Sequence, residues 1–122
     1  MAKILIVDDE PIVHRLLQHH LERAGYELLA ATNGREAIER AEQCKPDLVV
    51  MDLSMPVMNG LDAARAIKRV LPDVPVIMFS NYSDKFSEEE ARSAGISAMV
   101  SKTESVSVLV AKARLLINNI AA

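Results

Sequence analysis

The chain has 122 residues, half of them apolar, and a formal net charge of −3; that is the size of one compact domain, with no material for a second core. The charge balance excludes the basic face of a dedicated nucleic-acid binder, and no apolar stretch approaches the ~18 residues of a membrane span. The single cysteine, Cys44, excludes an internal disulfide, fits a reducing cytoplasm and reads as a packed thiol near a helix end.

An apolar run of strand length covers 4–7 and ends directly in Asp8 and Asp9; it is too short, and wrongly flanked, for a signal peptide. A helix is predicted to open at Pro11, a residue tolerated in the first turn, and to stop at Gly25. Its apolar stripe is Val13, Leu16, Leu17, His20, Leu21 and Ala24, so His20 reads as a packed core histidine, while His14 lies in the first turn near the acids. A second strand is expected over 28–31, then a helix capped by Asn33 that ends before Pro46. The run over 48–51 ends in Asp52, and Met55 and Pro56 stiffen the turn that presents it. A third helix runs from about Gly60 to Leu71 and is closed by Pro72. The strand over 76–79 leads to Ser80, and a fourth helix covers about 84–94, with Gly95 after it. The last strand, 98–100, leads to Lys102. The final helix, about 104–120, carries one stripe of Val106, Leu109, Val110, Ala113, Leu116, Ile117 and Ile120, and a second with Val108 and Leu115.

Five β-α units in succession favour parallel strands joined by right-handed crossovers, with helices on both faces: a three-layer α/β/α sandwich. Such sheets take ligands at the carboxyl ends of their strands. Those ends carry Asp8, Asp9, Asp52, Ser80 and Lys102. Singly, the adjacent acids cap helices, Asp52 forms a turn, and Ser80 and Lys102 are surface residues. Together they make a different chemistry. Like charges 4 Å apart repel by about 1–4 kcal/mol, so clustered carboxylates imply a resident cation, and all-oxygen ligands select Mg²⁺ (or Mn²⁺) over zinc. Lys102 suits a phosphoryl oxygen, Ser80 offers a mobile hydroxyl, and a carboxylate can serve as nucleophile toward phosphorus.

The stretches IVDDEP and MDLSMPVMNG, the serine ending VIMFS and the lysine of VSK carry a resemblance. In combination the chain resembles the receiver domain of bacterial two-component response regulators over residues 1–122. The resemblance implies a flavodoxin-like five-stranded parallel sheet in the order 2-1-3-4-5. It implies that Asp52 accepts a phosphoryl group from a phosphohistidine on a sensor histidine kinase or phosphotransfer protein. Asp9, Asp52 and the backbone carbonyl of Ser54 would bind the metal, with Asp8 acting through water. Ser80 would follow the phosphate and Lys102 would contact it. The implied protein is a cytoplasmic, self-phosphorylating and slowly self-dephosphorylating switch, not a turnover enzyme, binding neither nucleic acid nor membrane through this domain. The implied output face comprises the fourth helix, fifth strand and fifth helix, where Val108 and Leu115 point to a homodimer or a downstream partner.

Departures from the family pattern concern the relay. Met99 stands where an aromatic ring usually moves with the switch hydroxyl, and a thioether lacks that ring's distinct stations. Thr103 replaces the usual proline after the lysine, so a trans bond is expected. Asn81 occupies a position usually held by a small residue, and Tyr82 and Ser54 flank the phosphate. A phosphorylation-independent adaptor is the rival reading, opposed by the complete acid, hydroxyl and lysine set. An aspartate-nucleophile phosphatase would need D-x-D after the first strand. A flavin binder would need a hydroxyl- and glycine-rich loop where DDEP stands. If the Tyr82 ring obstructs the attacking water, Tyr82→Ala loses phosphate faster than the native chain; equal or slower loss in a time course of the phosphorylated fraction contradicts this role.

Overall fold

The computed structural model describes residues 1–55, 57–81 and 87–121. Its elements, in chain order, are β1 (Lys3–Val7), α1 (Pro11–Arg23), β2 (Glu27–Ala31), α2 (Gly34–Cys44), β3 (Leu48–Met51), α3 (Gly60–Val70), β4 (Val76–Ser80), α4 (Glu88–Ser93), β5 (Ala98–Ser101) and α5 (Val106–Ala121). The strands form one parallel sheet in the order β2-β1-β3-β4-β5. No helix among the described residues is long and apolar enough to cross a membrane.

Side-chain alternation along the strands builds two cores. Leu5, Val7, Val49, Met51 and Met78 face α2 and α3, meeting Ala37, Ala41, Ala63, Ala64 and Ile67. Ile4, Ile6, Leu48, Val50, Ile77 and Phe79 face the other way, against Leu17 and Leu21 of α1 and Leu109 and Ala113 of α5. β3 is buried at every residue, as a strand covered on both faces must be.

Local signals explain most boundaries. Asn33 accepts the Glu36 N–H at 2.9 Å and Asn59 accepts that of Asp62 at 2.9 Å, starting α2 and α3. α4 starts later than its apolar spacing predicts. Ser87 and Glu90 form a reciprocal capping box, Glu90 N–H to Ser87 Oγ at 3.0 Å and Ser87 N–H to Glu90 Oε1 at 3.1 Å. The sequence carries that S-x-x-E signature, and it outweighs hydrophobic spacing. α5 likewise begins at Val106 and not at Glu104, whose carboxylate turns back to accept the Ser101 N–H at 3.1 Å.

The α1 stripe is narrower than its spacing predicts. Only Val13, Leu17 and Leu21 are buried; Leu16 is 44% exposed. His20 is exposed too, its ring edge-on to His19 with centroids 5.1 Å apart, so it is not a core histidine. The helix is seated on one i, i+4 row, which turns positions 16 and 20 to its flank. Pro56 and Tyr82 lie outside the described residues.

The sheet's register sets the site. Val7 pairs with Ala31 on one side and Met51 on the other, and Ser80 pairs with Ser101. The ladder continues one step past the strand ends: Asp8 N–H to Ala31 O at 3.1 Å, Asp52 N–H to Val7 O at 2.9 Å, and Lys102 N–H to Ser80 O at 2.8 Å. Three charged rim residues are therefore held by backbone bonds. Gly60 closes the loop after Asp52, its N–H on Leu53 O at 2.8 Å, and a Cβ there would fall 2.8 Å from Leu53 Cα and onto the Asp52 carbonyl. Gly60→Ala is thus expected to destabilise the chain by about 1–3 kcal/mol, read as a lower urea midpoint at unchanged slope.

Candidate functional site

Lys102 is the centre of the rim. Its Nζ lies 2.9 Å from Asp8 Oδ2, 3.3 Å from Asp52 Oδ1 and 3.6 Å from Glu10 Oε1. Both aspartates are almost fully buried, Asp8 at 2% and Asp52 at 4% exposure. The other Asp8 oxygen, Oδ1, accepts the Glu10 N–H at 2.9 Å. The Asp8 carbonyl lies 2.7 Å from His14 Nε2, which ties the first turn of α1 to the rim. The Phe79 ring centroid is 6.0 Å from the ammonium, an apolar wall beneath it.

These contacts set the ionisation. Burial, then the charge of Asp8, pushes Asp52 up to about 6, against the opposing pull of Lys102. Burial alone would lower Lys102, but its hydrogen bond to Asp8 and the charges of Asp8 and Asp52 outweigh this and raise it. The ammonium is therefore retained through the physiological range.

The structure brings Asp8, Asp52 and Lys102 into direct contact. Asp9 is exposed beside them, and its carboxylate joins those of Asp8 and Glu10 in a group whose ligand atoms lie within 4.8 Å of one another. Glu10 is a site residue that the sequence reading passed over, although it completes the D-D-E run. The donor set is all oxygen, anionic and partly solvated, which fits a hard divalent cation that keeps several waters. Ser54 is exposed on the loop after Asp52, Ser80 is half-buried at the end of β4, and Asn81 is exposed after it. Tyr82 lies outside the described residues. Met99 is 43% exposed on edge strand β5, and its carbonyl accepts Lys112 Nζ at 3.1 Å. No cis peptide occurs among the described residues, so the bond before Thr103 is trans. Thr103 turns back instead, its Oγ1 2.7 Å from Ser101 Oγ.

The α/β/α sandwich thus carries buried carboxylates at the carboxyl edge of its sheet with an ammonium between them, a set of charges suited to phosphoryl-transfer chemistry. The family model described as "Response regulator receiver domain" matches residues 4–114. The chain is 40% identical over 101 residues to the "Chemotaxis protein CheY" of Thermotoga maritima, covering 82% of this chain and 84% of that protein. It is 40% identical over 111 residues to the "Transcriptional regulatory protein PdtaR" of Mycobacterium tuberculosis, covering 88% of this chain but only 53% of that protein. Among solved structures, the response regulator TrrA of Thermotoga maritima, in complex with Mg(2+)-BeF, superposes with a TM-score of 0.87 at 34% identity, covering 95% of this chain and 99% of that one. A CheY-like receiver domain protein from Methanospirillum hungatei shares the fold with a TM-score of 0.92 at 24% identity, covering 98% of this chain and 95% of that one. The chain belongs to the response regulator receiver domain family. Its role is two-component phosphorelay signalling; receiver domains are typically signal switches, although some relatives are enzymes, and they bind Mg²⁺ at an acidic pocket and interact with histidine kinases and downstream effectors.

The raised Asp52 carboxyl has a measurable consequence. Between the ordinary 3.8 and about 6 the folded chain binds more protons than the unfolded one, so stability falls as pH rises through that window. Asn at this position removes the buried charge and leaves Lys102 paired with Asp8. With chelator present, Asp52→Asn is expected to be more stable than the native chain by about 1–3 kcal/mol near pH ~7.5, the gap closing toward pH ~4, as read by urea unfolding.

Proposed function

We propose that Asp52 is the phosphoacceptor, and that the observation carrying this role is the Lys102 ammonium shared between Asp8 and Asp52. Asp52 is a nucleophile only when ionised; with its carboxyl pushed up to about 6, the ionised form predominates at pH 7. A carboxylate oxygen attacks phosphorus in the donor phosphohistidine, the P–N bond breaks, and the imidazole leaves with the bonding pair. Lys102 moves from neutralising Asp52 to neutralising a phosphoryl oxygen, so the charge that grows on phosphorus meets a cation already in place.

Asp9, Asp52 and the carbonyl of Ser54 would hold Mg²⁺ in this reading. The metal, when bound, supplies charge neutralisation at the phosphoryl oxygens. Both Asp8 oxygens are engaged, one by the Glu10 N–H and one by Lys102, which supports its acting through water. Glu10, 56% exposed by side chain, joins this outer group. Ser80 follows the phosphate, and its backbone bond to Lys102 couples β4 to β5. Hydrolysis of the acyl phosphate by water resets the chain, so it is a switch and not a turnover enzyme.

The phosphodonor docks beside His14, where Ile12 and Leu16 are exposed on α1. Output uses the face of α4, β5 and α5, where Met99 is exposed and Leu115 is 62% exposed, whereas Val108 is half-buried against the core. The deciding experiment is intact mass after incubation with acetyl phosphate and Mg²⁺. A gain of one phosphate on the native chain, absent with EDTA and absent in Asp52→Asn, is expected. A gain retained by Asp52→Asn places the acceptor elsewhere, and no gain on either chain favours the adaptor reading.

A further inference from the structure

A second concentration of charge lies at the opposite edge of the sheet. α3 runs from the Asp52 loop down to Val70, just before β4, and α4 runs likewise toward Gly95 and the start of β5. Arg65, with Lys68 and Arg69 in the last turn of α3 and Arg92 in the last turn of α4, lines one open cavity of about 280 Å³, together with Gly95.

The four cations are not equivalent. Arg65 is held by Asp62 at 3.0 Å. Lys68 places one donor on the Val74 carbonyl at 2.8 Å, which fixes its ammonium. Its stem runs over Gly95, where a Cβ would come within 2.8 Å of Lys68 Cγ, and Gly95 also adopts φ +83°, a conformation that side chains rarely take. Gly95 is therefore the residue that lets Lys68 lie in the groove. Among the described residues Arg69 and Arg92 have no ion pair, and both are exposed.

Cations in a last helical turn ordinarily answer the helix dipole. Two helix ends supply roughly −0.5 charge each, about −1 together. Lys68, Arg69 and Arg92 bring three positive charges, one from a separate element, into a chain whose net charge is −3. The dipoles leave about two positive charges uncompensated. Guanidinium forks grip phosphate oxygens in pairs, and a fixed ammonium between them serves as a point charge.

We propose that this groove binds the diphosphate group of a small soluble ligand, with Arg69 and Arg92 on its outer oxygens and Lys68 between. The cavity is at the small end of ligand pockets. A polynucleotide would meet the chain's net negative charge beyond the groove.

The test is titration calorimetry in EDTA, which keeps the acidic rim free of metal, using inorganic pyrophosphate and, in a second arm, ADP. Saturable one-site binding at millimolar pyrophosphate is expected. It weakens at least about tenfold in Arg69→Gln/Arg92→Gln, the effect of one lost charge-assisted contact, and is unchanged in the charge-matched Arg15→Gln/Arg23→Gln. Tighter binding of ADP identifies a nucleotide as the source, and equal binding identifies free diphosphate. Absence of saturable binding overturns the proposal, as does equal weakening in both double variants or a DNA duplex that competes at lower concentration. Acetyl phosphate labelling of the groove variant, read by intact mass, separates this site from Asp52: labelling persists whether or not pyrophosphate binds.

Discussion

The contact on which the rest depends is the Lys102 ammonium wedged between Asp8 and Asp52. Two carboxylates this deeply buried repel each other, and at an effective dielectric of 20 a like-charge pair at 4 Å costs about 4 kcal/mol. One cation offsets that repulsion for both. It also leaves Asp52 under-compensated, because Asp8 takes the shorter contact and burial raises the Asp52 carboxyl to about 6. The site is thus charged in advance, with an Asp52 carboxylate that is poorly neutralised.

That arrangement is bought by the parallel sheet. A parallel register sends every strand's carboxyl end to one edge, and the ladder extends one bond further at Asp8, Asp52 and Lys102. Backbone bonds, not side-chain packing, therefore set where the three charges stand. The buried β3 and the two cores on either face make that frame stiff, while the loops at the rim carry the exposed groups Asp9, Ser54 and Asn81.

The residues between Ser80 and Thr103 depart from the family pattern. Met99 is an exposed side chain on an edge strand, and its carbonyl anchors Lys112 of α5 to β5. Ser80 is joined to Lys102 through the backbone. Hydrogen bonds to the main chain of β5 and the residue after it thus join β4 and α5. The trans bond at Thr103 and its hydroxyl contact with Ser101 replace the turn chemistry of a proline.

Strands, their order of occurrence and the residues at their ends were legible from sequence because period, length and turn residues are local properties. So was the placing of Asp8, Asp9, Asp52, Ser80 and Lys102 at the carboxyl ends of the strands, since residue type at a strand end survives any detail of packing. The start of α4 was legible too, in S-x-x-E at Ser87, but hydrophobic spacing concealed it. Tertiary structure alone decided that His20 faces solvent, because the seating of α1 on the sheet selects one row of its stripe. It alone showed that Glu10 joins the acid group, that Asp8 has both oxygens engaged, and that cations from α3 and α4 meet in one groove. The Lys102 contact to Asp8 and the meeting of α3 with α4 depend on distances between elements far apart in the chain, which no local pattern encodes; the Glu10 contacts are local, but side-chain geometry and not residue type decides them.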